Sequence, residues 1–284
     1  MLLTARAMEL RDGRSLDFSG PCLVMAVVNC NDDSFYAPSR VLFDKAVERA
    51  LAFEKDGASI IDFGAESSRP LSSWIDGKEE IERLIPVIAD FRRKSSLPIS
   101  VDTRKAFVAR SALDAGADII NDISALGDDP EMAGVCAEYG AAVVLVHSKG
   151  VTAGDDSSYG VNPGEFRSFF DAAAARAAAA GIPKEKIILD PGIGFNKALK
   201  DNLEILSLPS RLAELCGNDY PLLVGLSRKS FIGALTGRDA EERLSGTLAA
   251  NAAAIMGGAL IIRVHDVKEH VDLVKVLYAL RAGK

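Results

Sequence analysis

Polar side chains that could do chemistry stand at the ends of short apolar stretches in this sequence. In residues 222–233, LLVGLSRKSFIG, an apolar run passes directly into Ser227, Arg228, Lys229 and Ser230. The run is too short for a helix and is apolar at nearly every position, which is typical of a buried parallel strand. Other apolar stretches end in the same way. Their polar residues are Asn29, Asp62, Glu66, Ser68, Arg69, Asp102, Asn121, Asp122, His147, Asp190, Arg263 and His265.

The basic members of this set indicate an anionic substrate. Lys229, Arg228, Arg263 and Arg69 place positive charge at the ends of three of the stretches. Lysine and arginine are the usual partners of phosphate groups, because they donate several charge-assisted hydrogen bonds. We therefore predict a substrate that carries a phosphate or diphosphate.

The acidic and amide members match a different chemical group. Asp102, Asn121 and Asp190 together offer oxygen acceptors to the N–H-rich edge of a flat heterocycle. Asn29 and Asp33 supply further oxygen atoms, which suit a Mg2+ ion that accompanies a diphosphate and keeps most of its waters. Zinc is not expected in a chain with 3 histidines.

These residues can meet only if the elements that carry them bring their ends together. The predicted strands are 23–29, 59–63, 98–103, 118–123, 142–147, 187–190, 222–226 and 260–264. The predicted helices are 41–57, 77–94, 105–115, about 130–139, 164–180, a helix within 202–216, 240–256 and 269–282. This alternation is typical of an α/β fold, the (β/α)8 TIM barrel, in which the C-terminal strand ends share one face. The alternative is an open doubly wound sheet, but the glycine-rich phosphate loop common after its first strand is not found.

A short hairpin is predicted ahead of the first strand. Residues 8–18, MELRDGRSLDF, carry Asp12 and Gly13 at the position of a tight turn. We expect this N-terminal β-hairpin, within residues 1–20, to cap one end of the barrel. Residues 1–284 would then form a single domain, because no interdomain linker is recognisable.

Composition narrows the partners and the location. The formal net charge of −7 argues against a nucleic-acid-binding surface. No stretch approaches the ~20 apolar residues of a membrane span, and the N-terminal residues do not resemble a signal peptide. Cys22, Cys30, Cys136 and Cys216 follow no metal-binding or disulfide spacing. We therefore expect reduced thiols in a cytoplasmic protein with no nucleic-acid or membrane partner.

Several separated segments, taken in order, resemble the bacterial dihydropteroate synthase family. They are MAVVN with DDSF, IIDFGAESSRP, ISVDTRK, AGADIINDISAL, DPGIGF, VGLSRKSFIGALTGR, RLSGT and IIRVHDV. They span almost the whole chain, and several polar motifs in register are more specific than any one alone. The resemblance implies a TIM-barrel transferase of folate biosynthesis. Such an enzyme joins 4-aminobenzoate to (7,8-dihydropterin-6-yl)methyl diphosphate and releases diphosphate.

The resemblance also implies roles for individual residues. Asn29 matches the Mg2+ ligand. The implied pterin pocket is Asp102, Asn121, Asp190 and Lys229. The implied diphosphate site is Ser68, Arg69, Arg263 and His265. The implied 4-aminobenzoate site is Ser68, Pro70, Phe195 and Ser230. The implied catalytic residues are Asp33, an aspartate of the first loop, Asp102 and Lys229.

The same resemblance predicts a sulfonamide target. The apolar final helix, VDLVKVLYAL, is in addition typical of barrels that form homodimers. We favour a dissociative reaction, in which cations stabilise the departing diphosphate before the arylamine attacks.

Several positions depart from the family's pattern. The first loop reads NCNDDSF where Asn-Val-Thr-Pro-Asp-Ser-Phe is usual, so that a proline is lost and Asp32 adds negative charge. Leu71 and Asn196 stand at glycine positions, Ser68 replaces a threonine, and Ser148 replaces a methionine. We expect these changes to affect the 4-aminobenzoate site more than the pterin pocket.

Other interpretations of the same residues stay open at this point. Asp102 and Asp190 could be helix N-caps, Asn121 with Asp122 could mark a turn, and Lys229 could be solvated or paired with an acid. We interpret His147 as a strand-end residue rather than a catalyst.

Three other functions are also possible. A methyltransferase acting on methyltetrahydrofolate would keep the acidic residues but would not need the cations of SRKS and RVHD. A Schiff-base aldolase would use Lys229. A non-catalytic pterin-binding homologue would bind pterin without releasing diphosphate.

Overall fold

The computed structural model describes residues 7–30, 40–65, 75–148, 161–207, 216, 219–281 and 283. The described part of the chain begins with the predicted hairpin. Strands β1 (Ala7–Glu9) and β2 (Ser15–Asp17) pair antiparallel, with Met8 opposite Leu16. Gly13 has a φ of 84° in the turn, a left-handed conformation that glycine adopts without strain.

The eight apolar stretches form one parallel sheet. Its strands are β3 (Leu23–Asn29), β4 (Ile60–Gly64), β5 (Ile99–Asp102), β6 (Ile119–Asp122), β7 (Ala142–Val146), β8 (Ile187–Asp190), β9 (Leu223–Gly225) and β10 (Ile261–Val264). Their order is β8-β7-β6-β5-β4-β3-β10-β9. A parallel bridge between Leu189 and Leu222, with the Leu189 N–H donating to the Pro221 carbonyl at 3.0 Å, joins the two outer strands and closes the barrel. The predicted (β/α)8 barrel is confirmed.

Helices alternate with these strands as predicted. They are α1 (Arg40–Lys55), α2 (Gly77–Lys94), α3 (Ala106–Asp114), α4 (Met132–Tyr139), α5 (Pro163–Ala179), α6 (Leu199–Leu206), α7 (Ser230–Thr236), α8 (Leu244–Met256) and α9 (Val267–Arg281). In the ranges that the structure describes, no helix is both long and apolar enough to cross a membrane. Cys22, Cys30, Cys136 and Cys216 are free, as expected for reduced thiols.

The helix boundaries differ most from the predicted ones in the second half of the chain, where α7 is in addition a short helix outside the eight predicted ranges. Helix α6 begins at Leu199, ahead of the predicted range 202–216. The predicted helix 240–256 is divided into a 3₁₀ turn, Ala240–Glu242, and α8. The division falls at Arg243, whose backbone leaves helical geometry while its side chain donates to the carbonyl oxygens of Arg238 and Arg228. Helix α9 begins at Val267, two residues before the predicted start.

Two hydrophobic clusters support the barrel. The larger lies between the strands and the surrounding helices. The smaller fills the barrel interior with side chains from seven of the strands and from the hairpin, whose Met8, Leu10 and Leu16 are buried there. The hairpin therefore caps the N-terminal end of the barrel, and the C-terminal end is left for a site.

Ion pairs fix the hairpin to the barrel. Arg14 donates to Asp118 at 2.6 Å and to the Ser96 carbonyl at 2.5 Å. Arg92 reaches the second carboxylate oxygen of Asp118 at 2.7 Å, and that oxygen also accepts from the Ile99 N–H. Because Asp118 is buried and has all of these partners, the cap is attached by satisfied charges rather than by packing alone.

Candidate active site

A cavity opens at the C-terminal ends of the barrel strands. The empty space within it, counted together with the open solvent at its mouth, is about 310 Å³. The lining residues are Asp102, Asn121, Ile123, Val146, Asp190, Phe195, Gly225, Lys229 and Arg263. They come from six strands and from the loops after β6, β8 and β9, so residues far apart in the sequence meet as a barrel requires.

One side of the cavity is acidic. Asp102 ends β5 and is paired in register with Asn121, the last residue but one of β6, and Asp190 ends β8. The amide oxygen of Asn121 is buried and has no hydrogen-bond partner among the described residues. Buried polar atoms are normally satisfied, so this oxygen is suited to a donor on a ligand.

The opposite side is basic, and Arg263 connects it to the acidic side. The Arg263 guanidinium donates from Nε to Asp62 at 2.6 Å and from Nη2 to Asp102 at 2.8 Å. Burial opposes the charge, but Asp62 and Asp102 hold the pKa of Arg263 above its usual value. Gly225 is the register neighbour of Arg263 on β9, and a Cβ there would lie in ordinary contact with the Arg263 side chain, 3.8 Å from its Cβ.

Lys229 reaches into the same cavity from the turn after β9. Its Nζ donates to the Ile193 carbonyl and lies 4.3 Å from the centroid of the Phe195 ring. A Cβ at Gly194 would lie 3.0 Å from Lys229 Cδ, and Gly194 has a φ of 82°. Glycine at this position therefore allows the lysine to cross the loop after β8.

The cavity shifts the protonation of its charged residues. Burial raises the pKa of Asp102 to about 7, with Arg263 opposing the rise and Asp62 adding to it. Burial also raises the pKa of Asp190, against the attraction of Lys229. Burial lowers the pKa of Lys229 to about 8, and Asp190 opposes that shift. Such shifts are frequent where charged groups bind substrate.

Comparisons with known proteins agree with this geometry. The family model for the pterin binding enzymes matches residues 25–265. The dihydropteroate synthase of Escherichia coli K12 is 43% identical over 276 residues, which cover 96% of this chain and 96% of the relative. That of Synechocystis is 42% identical over 268 residues, covering 93% and 92%. The chain belongs to the dihydropteroate synthase family.

Solved dihydropteroate synthases have the same fold. The Xanthomonas albilineans enzyme with 4-aminobenzoic acid superposes with a TM-score of 0.88 at 39% identity, covering 98% of this chain and 99% of that one. The Yersinia pestis enzyme in a sulfonamide drug complex also gives 0.88, at 38% identity and with 99% and 100% coverage. The predicted family and its transferase function in folate biosynthesis are thereby confirmed, and no comparison supports the alternative functions.

The residues of this chain that were predicted to form the pterin pocket of a dihydropteroate synthase lie together. Asp102, Asn121, Asp190 and Lys229 all line the cavity, as do Arg263 and Phe195. His265 follows β10, Ser230 is the exposed first residue of α7, and Asn29 ends β3 with an exposed side chain. The predicted residues outside the described part of the chain are Asp33, Ser68, Arg69 and Pro70, with the substituted positions Asp32 and Leu71.

The structure decides between several of the open interpretations. Neither Asp102 nor Asp190 is an N-cap, because Lys105 is the residue that precedes α3 and Ala198 is the residue that precedes α6. The turn interpretation holds for Asp122, which accepts from the N–H groups of Ser124 and Leu126 at 2.8 Å, but not for its neighbour Asn121.

His147 is a packed strand-end residue, as predicted. It is 2% exposed, and its ring stacks on Phe166 with 4.0 Å between centroids. Asn196 has a φ of 45°, a left-handed conformation that asparagine adopts more readily than most residues other than glycine.

Arg228, one of the cations expected to bind the anionic substrate, is not among the residues that line the cavity. Its guanidinium donates to both carboxylate oxygens of Asp266, at 3.0 Å and 2.5 Å. Its backbone has a φ of 59° and is held by Thr247 Oγ1, which accepts from the Arg228 N–H at 3.1 Å. Arg228 thus shapes the turn that presents Lys229, and the pairing with Asp266 explains why the charge is not directed at the cavity.

Sequence reasoning missed the roles of two charged residues near the cavity. Asp62 is fully buried and orients Arg263, and its only signal was an acid inside an otherwise apolar strand. Lys197 donates to the carbonyl oxygens of His147 and Gly192, both at 2.8 Å, and of Phe195 at 3.3 Å. It joins the end of β7 to the DPGIGF loop and so positions Phe195.

Proposed function

We propose that this chain joins 4-aminobenzoate to (7,8-dihydropterin-6-yl)methyl diphosphate in the cavity at the C-terminal end of the barrel. The observation that carries the proposal is the presence of Asp102, Asn121 and Asp190 opposite Lys229 and Arg263 in a single cavity. A methyltetrahydrofolate methyltransferase would require the three acceptors but not the two cations. The pair of charged sides therefore favours a pterin that carries a diphosphate.

The acidic side would hold the pterin ring. The oxygens of Asp102, Asn121 and Asp190 are acceptors for the ring N–H and amino groups. Lys229 supplies a donor for the ring carbonyl, and Phe195 beside it offers an apolar face. This arrangement would orient the methylene carbon of the substrate toward the basic side.

The basic side would hold the diphosphate. Arg263 keeps donors available after its contacts with Asp62 and Asp102, because a guanidinium has five N–H groups. His265 follows Arg263 by two residues and would contribute a further donor. Ser68 and Arg69 are proposed to complete the site from the second loop.

The reaction we propose is a dissociative substitution. The C–O bond to diphosphate breaks with its electron pair leaving on the diphosphate, and the resulting positive charge is delocalised over the pterin. Asp102 stabilises that charge electrostatically while Arg263 stabilises the leaving group. The arylamine nitrogen then bonds to the methylene carbon, and its proton passes to Asp33 or to the released diphosphate.

We propose Mg2+ as the cofactor, with Asn29 as its protein ligand. Asn29 ends β3, which is hydrogen-bonded to β10, and its exposed amide offers the oxygen donor that Mg2+ prefers. When bound, the ion would neutralise charge on the diphosphate. The substrate itself would be oriented by hydrogen bonds from the protein's side chains.

The arylamine would bind next to the DPGIGF loop. Phe195 and Ser230, with Pro70 and Ser68 of the second loop, are the proposed contacts for 4-aminobenzoate. The Yersinia pestis relative was solved as a sulfonamide drug complex. We extend this to the present chain and propose that sulfonamides compete for its arylamine site.

Homodimer formation and a cytoplasmic location belong to the same proposal. Val276 and Leu280 lie one turn apart on α9 and are 58% and 71% exposed, and Met256 at the end of α8 is 60% exposed. Exposed apolar side chains of this kind are suited to self-association. The free thiols agree with a reducing compartment.

The proposed activity is tested by measuring diphosphate release with and without 4-aminobenzoate, in the presence of the dihydropterin diphosphate and Mg2+. We expect release only with the arylamine, in a one-to-one ratio with dihydropteroate identified by mass spectrometry. Pterin binding measured by calorimetry without any such release would instead identify a non-catalytic pterin-binding protein.

A further inference from the structure

Ser227 and His265 form a contact next to the proposed diphosphate site. The register that pairs Gly225 with Arg263 on β9 and β10 brings them side by side two residues later. Ser227 Oγ accepts from the His265 backbone N–H at 3.2 Å and lies 3.0 Å from His265 Nδ1. The serine is 8% exposed, so this hydroxyl is largely removed from water.

The hydroxyl proton determines which imidazole nitrogen is protonated. The His265 backbone N–H can only donate, so it occupies one lone pair of Ser227 Oγ. The Oγ–H proton of Ser227 then needs an acceptor of its own. Within the described part of the chain, Nδ1 of His265 is the acceptor in reach of that proton. If Oγ–H donates to Nδ1, Nδ1 is unprotonated and the neutral ring carries its proton on Nε2.

The surrounding charges keep this imidazole neutral. Burial, together with the positive charges of Arg263 and Arg228, lowers the pKa of His265 to about 4, and Arg49 acts in the same direction while Asp266 opposes it. The ring is therefore uncharged at neutral pH and has a single N–H donor, which is on Nε2 when Ser227 Oγ–H donates to Nδ1. Nε2 makes no hydrogen bond to a described residue, so this donor is available to a ligand.

We propose that Ser227 is a positioning residue that holds His265 as the neutral Nε2–H tautomer, so that the diphosphate meets a fixed donor. The inference rests on the proposed function for the identity of the ligand. The neutral Nε2–H of His265 contributes a hydrogen bond to the leaving diphosphate. It does so without placing a second positive charge beside Arg263. The free-energy contribution of one such bond corresponds to about a fivefold change in affinity.

Nitrogen NMR of the labelled protein at neutral pH tests the tautomer directly. The proposal expects a protonated Nε2 and an unprotonated Nδ1 for His265 in the unmodified chain. Ser227→Ala should give mixed tautomers and a raised His265 pKa, because a hydrogen bond that stabilises the neutral ring is lost. Ser227→Thr keeps the hydroxyl and should restore both signals. Ser100→Ala, which deletes another buried hydroxyl, should leave them unchanged.

Calorimetry with inorganic diphosphate and Mg2+ tests the consequence for binding. We expect Ser227→Ala to weaken binding by about fivefold and Ser227→Thr to bind like the unmodified protein. A proton on Nδ1 in the unmodified chain, or equal diphosphate affinity in all three proteins, would overturn the proposal. Neither measurement needs turnover, so a failure of the proposed transferase activity would be recognised separately.

Discussion

Lys229→Ala is expected to lower kcat/KM for the dihydropterin diphosphate by about 10²–10³-fold, the usual effect of removing one preorganised charged donor from an active site. The side chain reaches the cavity beside Phe195 and its charge faces Asp190. Its removal would take from Asp190 the positive charge that acts on it most strongly and would leave the ring carbonyl of the pterin without a donor. Steady-state assays of diphosphate release measure the effect.

Lys200→Ala is the matched control for this substitution. Lys200 is an exposed lysine of α6 that lies outside the cavity lining, and its loss should leave kcat/KM unchanged. Thermal unfolding should be cooperative in both variants, because the barrel core does not include either side chain. A Lys229→Ala enzyme within a factor of about three of the unmodified rate would contradict the assignment.

Asp102→Asn is expected to lower kcat/KM by a similar factor and to change its pH dependence. Asp102 is charged above its pKa of about 7, and Lys229 is charged below its pKa of about 8. The unmodified enzyme should therefore lose activity as the pH falls through about 7 and again as it rises through about 8. Asparagine cannot titrate, so the variant should lose the acidic limb and keep the alkaline one.

The pH profile of Asp102→Asn shows whether activity is lost because the negative charge is removed or because the shape of the cavity has changed. Asparagine retains the size of Asp102 and an oxygen acceptor, and Arg263 remains attached to Asp62. His265, with its pKa of about 4, should add no limb in the measured range. An acidic limb that persists unchanged in Asp102→Asn would show that another group titrates there. Since Asp102 and Lys229 interact, the two limbs are assigned to the pair and tested by the variants.

The sequence was sufficient to predict the barrel and the residues at its strand ends. An apolar stretch that ends in a polar residue predicts a buried strand. Because all parallel strands of a barrel end at the same rim, it also predicts that this polar residue lies at the C-terminal end of the barrel. Asp102, Asn121, Asp190, Lys229 and Arg263 were found in this way. Asn196 has a left-handed backbone in the structure, a conformation that glycine and asparagine adopt most readily.

The partners of these residues could not be predicted, because they depend on distances that the sequence does not contain. Arg228 is paired with Asp266 across two neighbouring strand ends, which removes it from the substrate site. Arg263 and Asp62 are separated by 201 positions. The cationic group of Lys197 gave no periodic or motif signal, since its role is to bridge three carbonyl oxygens of two loops. Such contacts are set by tertiary packing.

The central claim is that the pterin binds between the two charged sides of the cavity, and a crystal structure of the complex with dihydropteroate tests it most directly. The account predicts the pterin ring among Asp102, Asn121, Asp190 and Lys229, with the arylamine portion extending past Phe195. A pterin bound elsewhere on the barrel, or in the cavity with its N–H edge turned away from the three acceptors, would contradict it.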